Sequence, residues 1–169
     1  SYDLMLSHLT ICRKQALKMG AKEVEYFHPS IPEFLPKRVA EQPKLYDVVF
    51  TGQYTRDHKL RNQVLQDVGN NAAQRGLSFG LFLCTHNQQI PEILARYNQG
   101  ERWGMEMFKA LKSGRIVLNA EIDLARGEAG NLRLFETTAV GSFLLTEHQP
   151  NILQYFKPGV EIETYRSTT

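Results

Sequence analysis

The chain has 169 residues, 42% apolar and 22% charged, which suits one soluble domain, or one domain and a fragment of another. Its 20 basic and 18 acidic residues are scattered and leave a net charge of +2, which argues against nucleic acid or an anionic membrane as an obligatory partner. Cys12 and Cys84 have no metal-ligand spacing, no apolar run reaches the length of a membrane span, and the first residues do not resemble a signal peptide. We therefore predict a cytoplasmic protein without an integral membrane segment or a metal site.

The first part of the chain predicts a βαβ unit. Strands are indicated at 2–8 and 23–29, and a helix is indicated at 12–20. The segment 30–45 follows, and its three prolines interrupt any helical period, so we predict a connector there. A unit of this size is too small to bury its own sheet.

The rest of the chain alternates apolar strands with helices. Strands are predicted at 46–52, 77–84, 115–120, 142–147 and 161–167. Helices are predicted at 57–74, 91–98, 103–114, 131–141 and 151–156. The helix at 57–74 has its predicted apolar stripe at Leu60, Val64, Leu65, Val68 and Ala72. This alternation indicates an α/β fold with a parallel, Rossmann-like sheet and helices on both faces.

Ligands of such a sheet bind beyond the carboxyl ends of its strands. The loop after the strand at 46–52 begins "GQYTRD" and contains neither GxGxxG nor GxxxxGK[ST]. This argues against dinucleotide-dependent oxidoreductases and P-loop enzymes. Gly52 is a candidate ligand contact, although a lone glycine after a strand is usually a turn residue.

The loop after the strand at 115–120 is more informative. Gly127 and Gly130 flank Glu128 and leave the backbone free to approach a ligand closely. Asn131 is a natural N-cap for the next helix. The free N–H groups of the first helical turn, together with the helix dipole, favour a bound anion such as phosphate.

Two side chains of the helix at 131–141 complete this candidate site. Arg133 can bind a phosphate in a bidentate way, and Glu136 can accept two hydrogen bonds from a sugar diol. The same residues also fit an ordinary loop, helix and strand. Composition and spacing do not decide between these two interpretations.

The segment "GNLRLFETTAVGSFLLTEHQPN" (130–151) forms part of a longer pattern. Its positions are Leu118-Asn119, Arg133, Phe135-Glu136, Gly141, Leu144-Leu145-Thr146, Asn151, Phe156, Glu161 and Tyr165. This pattern resembles the C-terminal domain of GT-B glycosyltransferases of group 1, in particular the subgroup of spore-maturation-protein-like (CgeB-like) glycosyltransferases. The opening strand and helix after 44 and the segment "GAKEVEYFHPSIPEFLP" (20–36) are similar to that family as well.

The resemblance implies roles for individual residues. Glu128 would face the donor sugar and Glu136 the ribose hydroxyls, as the two glutamates of the family's E-x7-E element. Gly130 and Asn131 would lie against the diphosphate, with Gly52 close to the phosphates or the reacting centre.

The same resemblance implies that Arg102, Trp103 and Gly104 hold the nucleobase, largely through the backbone. Many group 1 enzymes have an Arg and a Lys about five residues apart for the diphosphate. This chain offers Arg56, Lys59 and Arg61 at a different spacing, and we assign Arg56 to that role. Glu128, Arg133 and Arg56 are thus the predicted catalytic residues.

The implied domain division is 1–43, the end of an N-terminal domain with its connector, and 44–169, a nucleotide-sugar-binding domain without its C-terminal helices. The implied reaction is hexosyl transfer from a nucleotide-diphosphate sugar, with retention and without a cofactor or an obligatory metal. A glycan, protein or small-molecule acceptor would bind the missing N-terminal domain, so we expect this piece to bind a donor without turnover. The alternative is a non-catalytic Rossmann-like binding or assembly module.

Overall fold

The computed structural model describes residues 2–125 and 127–167. Its first part is a parallel pair of strands joined by a helix, namely β1 (Leu4–Ser7), α1 (Thr10–Lys18) and β2 (Glu23–Tyr26). A short helix, α2 (Phe34–Arg38), interrupts the segment predicted to be a plain connector. Pro36 is compatible with this helix because it lies in the first turn, where the N–H groups have no helical partner.

The second part contains the predicted alternation of strands and helices. The elements are β3 (Tyr46–Gln53), α3 (Lys59–Arg75), β4 (Phe79–Cys84), α4 (Glu92–Tyr97), α5 (Gly104–Ser113), β5 (Gly114–Asn119), α6 (Leu132–Ala139), β6 (Phe143–Glu147) and β7 (Glu163–Tyr165). A 3-10 turn at Pro150–Gln154 stands where the short helix at 151–156 was predicted, and a second one at Asp123–Ala125 lies in the predicted loop after β5. All five strands pair in parallel in the order β4-β3-β5-β6-β7, which confirms the predicted sheet.

The strand order reverses direction at β3, which pairs with β4 on one side and with β5 on the other. The connections from β3 and β5 therefore leave the sheet on opposite faces. They open a crevice between the carboxyl ends of these two strands. A ligand site is expected at this crevice, beyond Gln53 and Asn119.

Helices cover both faces of the sheet, as predicted. On one face, Leu65 of α3 and Leu94 of α4 pack against Phe50 and Leu81. On the other face, Phe108 and Leu111 of α5 pack against Val117, with Val39 and Val140 in the same cluster. The connector thus contributes Val39 to the core, and its Glu41 forms an ion pair with Lys112 of α5 at 2.5 Å.

Within the described ranges, no helix combines the length and the apolar character that crossing a membrane requires.

Candidate functional site

A cavity of about 450 Å³ occupies the crevice between β3 and β5. The predicted site residues Gly52, Trp103, Gly104, Asn131, Arg133 and Glu136 line it. A second cavity of about 190 Å³ shares Gly52, Trp103 and Arg133 with the first and adds Arg102. Seven predicted site residues, from three separate parts of the chain, therefore surround one continuous space.

The N-terminus of α6 borders this space. The Asn131 side chain caps the helix by accepting a hydrogen bond from the Leu134 N–H at 3.3 Å, which confirms the predicted N-cap. Asn131 Nδ2 also donates to Asn119 Oδ1 at 2.9 Å, and Asn119 Nδ2 donates to Thr146 Oγ1 at 3.0 Å. These side chains tie the start of α6 to the ends of β5 and β6, so the helix N-terminus has a defined position at the crevice.

Arg133 and Glu136 form an ion pair in the cavity wall. Arg133 Nη1 lies 2.6 Å from Glu136 Oε2, and the side chains are only 17% and 11% exposed. Burial raises the pKa of Glu136, although the Arg133 charge and hydrogen bond oppose this. Burial also lowers the pKa of Arg133, against the influence of Glu136. The two residues thus stabilise each other's charge, in addition to any contact with a ligand.

Arg61 is the cation of α3 that reaches the cavity. Its side chain is buried, Nη2 donates to the Gln53 carbonyl at 2.5 Å, and Nε has no hydrogen-bond partner among the residues that the structure describes. Arg56, the cation that the sequence suggests for the phosphates, is exposed and does not line the cavity. The cavity therefore has Arg61 where the sequence suggested Arg56.

The predicted apolar stripe of α3 explains why the sequence did not favour Arg61 over Arg56. Leu60 was placed on that stripe, but it is 70% exposed, whereas Arg61, Leu65 and Ala72 are buried. Arg61 precedes Leu65 by four residues and so lies on the same face of the helix. This spacing was the available signal, and the apolar character of Leu60 concealed it.

Glu128 and Gly130 lie outside the cavity, against the first part of the chain. Glu128 Oε2 accepts a hydrogen bond from the Thr10 N–H, at the start of α1, at 2.8 Å. A Cβ atom on Gly130 would come within 2.7 Å of His8 Cδ2, so only glycine allows this close approach. The loop at 127–130 therefore connects the βαβ unit to the edge of the cavity.

The backbone of this loop is held by Asn151. Asn151 Oδ1 accepts from the Ala129 N–H at 2.8 Å, and Asn151 Nδ2 donates to the Ala129 carbonyl at 2.7 Å. Ala129 is completely buried, so water cannot replace these bonds.

Replacement of Asn151 by alanine is expected to lower the free energy of unfolding by about 2–6 kcal/mol, because two buried backbone groups each lose a partner at about 1–3 kcal/mol. Chemical denaturation measures this change. Gln154→Ala, at an exposed position of the same 3-10 turn, is the matched control and should change stability by less than about 0.5 kcal/mol. Equal effects of the two substitutions would contradict the role of Asn151.

Among the residues that the structure describes, no group of three or more His, Cys, Asp or Glu side chains is arranged to hold a metal ion.

A five-stranded parallel sheet, with a ligand-sized crevice at the point where the strand order reverses, defines a Rossmann-like α/β domain. Residues 61–169, more than half of the chain, match the model of the glycosyl transferase-like family, and the chain belongs to this family. A search of curated proteins gives no match.

The fold is similar to that of the pneumococcal O-GlcNAc transferase GtfA, solved in complex with UDP and GlcNAc. The TM-score is 0.59 at 14% identity, over 98% of this chain and 34% of that chain. The GtfA/B complex aligns with a TM-score of 0.49 at 12% identity, over 98% of this chain and 35% of that chain. The similarity to GtfA shows that the chain has the α/β fold of GT-B glycosyltransferases. The chain spans about a third of the length of these structures.

Proposed function

We propose that the chain is the donor-binding part of a glycosyltransferase that transfers a hexosyl group from a nucleotide-diphosphate sugar to an acceptor. The observation that carries this proposal is the cavity between β3 and β5, which combines the N-terminus of α6 with the buried Arg61 and the largely buried Arg133. Family membership and the UDP bound by the structurally similar GtfA support it.

In this proposal the diphosphate lies between the N-terminus of α6 and Arg61. The helix N–H groups and the guanidinium stabilise the charge that develops on the departing diphosphate, which is an electrostatic form of catalysis. Asn131 keeps the helix in position, and Gly52 leaves room for the phosphates. Arg61 takes the role first assigned to Arg56.

The remaining parts of the donor occupy the two ends of the continuous space. Glu136 accepts hydrogen bonds from the ribose, with Arg133 as its ionic partner. The smaller cavity at Arg102 and Trp103 receives the nucleobase. Trp103 is 68% exposed, so its indole ring is available to cover a ligand.

Glu128 is proposed to face the donor sugar. Its carboxylate is bonded to the Thr10 N–H, so contact with a sugar requires either the other carboxylate oxygen or release from α1.

We further propose that the reaction is retaining and metal-independent, and that the chain belongs to the spore-maturation-protein-like subgroup. Residues 1–43 act as part of an N-terminal domain, and the whole protein works in the cytoplasm on a glycan, protein or small-molecule acceptor.

Calorimetry with UDP-, GDP-, ADP- and dTDP-sugars tests the donor site. We expect one of these nucleotide sugars to bind, and we expect its affinity to be unchanged when EDTA is added, because the proposed phosphate contacts are Arg61, Arg133 and helix N–H groups. A folded protein that binds none of them would instead support the non-catalytic binding or assembly module.

A further inference from the structure

Glu121 is a buried acid beside the cavity to which no role has been assigned. It lies two residues after the end of β5 and is only 6% exposed. Its neighbours Ala120 and Ile122 both line the cavity. Its Oε1 atom has no hydrogen-bond partner among residues 2–125 and 127–167. Such an orphaned carboxyl oxygen is costly in a folded protein and calls for an explanation.

The backbone N–H groups of Gly130 and Asn131 hydrogen-bond to the Glu121 carboxyl group. They belong to the approach to α6, where the diphosphate of the donor is proposed to bind. Glu121 therefore holds the same short stretch of backbone that leads into α6.

Both negatively and positively charged groups lie near Glu121. Glu147 of β6 repels its negative charge, and Tyr165 of β7 lies close enough to be affected by it. Arg61 of α3, which also faces Asp123, attracts it. Burial and the charge of Glu147 raise the pKa of Glu121 to about 7, whereas the Gly130 and Asn131 N–H groups lower it.

We propose that Glu121 is a positioning residue of the donor site, which holds the N-terminal approach to α6 and takes up a proton when a nucleotide sugar binds. The inference rests on the proposed function, because it needs an anion at α6. A diphosphate there adds negative charge next to the carboxylate. It also competes with the carboxylate for the N–H groups at the start of α6 and for the positive charge of Arg61. Both effects favour the neutral carboxylic acid, with the proton taken from solvent onto a carboxyl oxygen and no bond broken in the ligand.

The sign of the pH dependence follows from linkage. Binding of the anion raises the pKa of Glu121 above its value of about 7 in the free protein. Well below that pH the carboxyl group is already protonated, and binding takes up no proton. Above it, each binding event takes up as much as one proton, so the association constant falls by up to about tenfold per pH unit.

Calorimetry in buffers of different ionisation enthalpy tests this coupling. The ligand is whichever nucleotide sugar of the panel binds, because its diphosphate diester has no titrating proton near neutral pH. At a pH slightly above 7 the observed enthalpy of the wild-type chain should vary with the buffer in the direction of proton uptake. Glu121→Gln should still bind, with this buffer dependence lost. Glu163→Gln, an exposed acid of β7, should retain it.

Two outcomes overturn the inference separately from the proposed function. Nucleotide-sugar binding with the same proton uptake in Glu121→Gln as in the wild type assigns the proton to another group. Binding without proton uptake in the wild type excludes the coupling altogether. If no nucleotide sugar binds the folded wild-type chain, the proposed function fails and this inference fails with it.

A second measurement covers the case in which Glu121→Gln does not fold. Carboxyl-carbon NMR of the wild-type chain follows the titration of Glu121 with and without the nucleotide sugar. The midpoint should rise on binding, and an unchanged midpoint overturns the inference.

Discussion

Replacement of Arg61 by alanine is expected to weaken nucleotide-sugar binding by about 10- to 100-fold. A charge-assisted hydrogen bond contributes about 1.5–3 kcal/mol, and the buried Nε atom of Arg61 has no partner within the described part of the chain to compete with a phosphate. Calorimetry with the nucleotide sugar that binds the wild type measures the change. Because Arg61 also donates to the Gln53 carbonyl, the unfolding free energy of the variant should be measured in parallel.

Arg56→Ala is the matched control for this experiment. Arg56 belongs to the same connection between β3 and α3 but is exposed and lies outside the cavity. We expect it to leave affinity and stability within about 0.5 kcal/mol of the wild type. A loss of affinity in Arg56→Ala, with Arg61→Ala unaffected, would return the phosphate role to the residue that the sequence suggested.

Replacement of Glu136 by alanine is expected to lower both stability and donor affinity. The stability loss should be about 1–3 kcal/mol, because Arg133 then keeps a largely buried charge without its partner. If Glu136 were only a ribose ligand, as the sequence alone suggests, the Glu136→Ala variant would be as stable as the wild type. Chemical denaturation therefore separates a residue that only binds ligand from one that also supports the cavity wall.

A double-mutant cycle with Arg133→Leu completes the experiment. Arg133→Leu/Glu136→Ala should be more stable than the sum of the single changes predicts, because neither charge is left unpaired, and it should not recover nucleotide-sugar binding. The matched control is Glu106→Ala. Glu106 pairs with Lys109 at the same three-residue spacing, but these side chains are 62% and 41% exposed, so the expected change is below about 1 kcal/mol. Additive single changes at Arg133 and Glu136 would contradict the coupling.

The fold was largely predictable because its signals are local. Strands at 46–53, 79–84, 114–119 and 143–147 are short apolar runs, and the helices between them carry the crossovers that make the pairing parallel. The Asn131 cap was predictable for the same reason, since the side chain bonds to an N–H three residues away. The candidate site after β5 was also predictable, because the end of a strand and the start of the next helix define the loop between them.

The partners of the charged residues were decided by the tertiary structure. Glu128 bonds to Thr10, 118 residues earlier in the chain, so spacing around Glu128 contained no information about that contact. Arg56 and Arg61 are five residues apart. The packing of α3 on the sheet buries Arg61, whereas Arg56 lies in the loop before this helix and is exposed.

The sequence by itself therefore determined the order of strands and helices and the segment where a ligand could bind, because both follow from hydrophobic period and turn chemistry. The tertiary structure decided which cation reaches the cavity, which acid is buried beside it and which glutamate pairs with an arginine. Burial and through-space charge govern these choices, and both depend on residues that are distant in the chain.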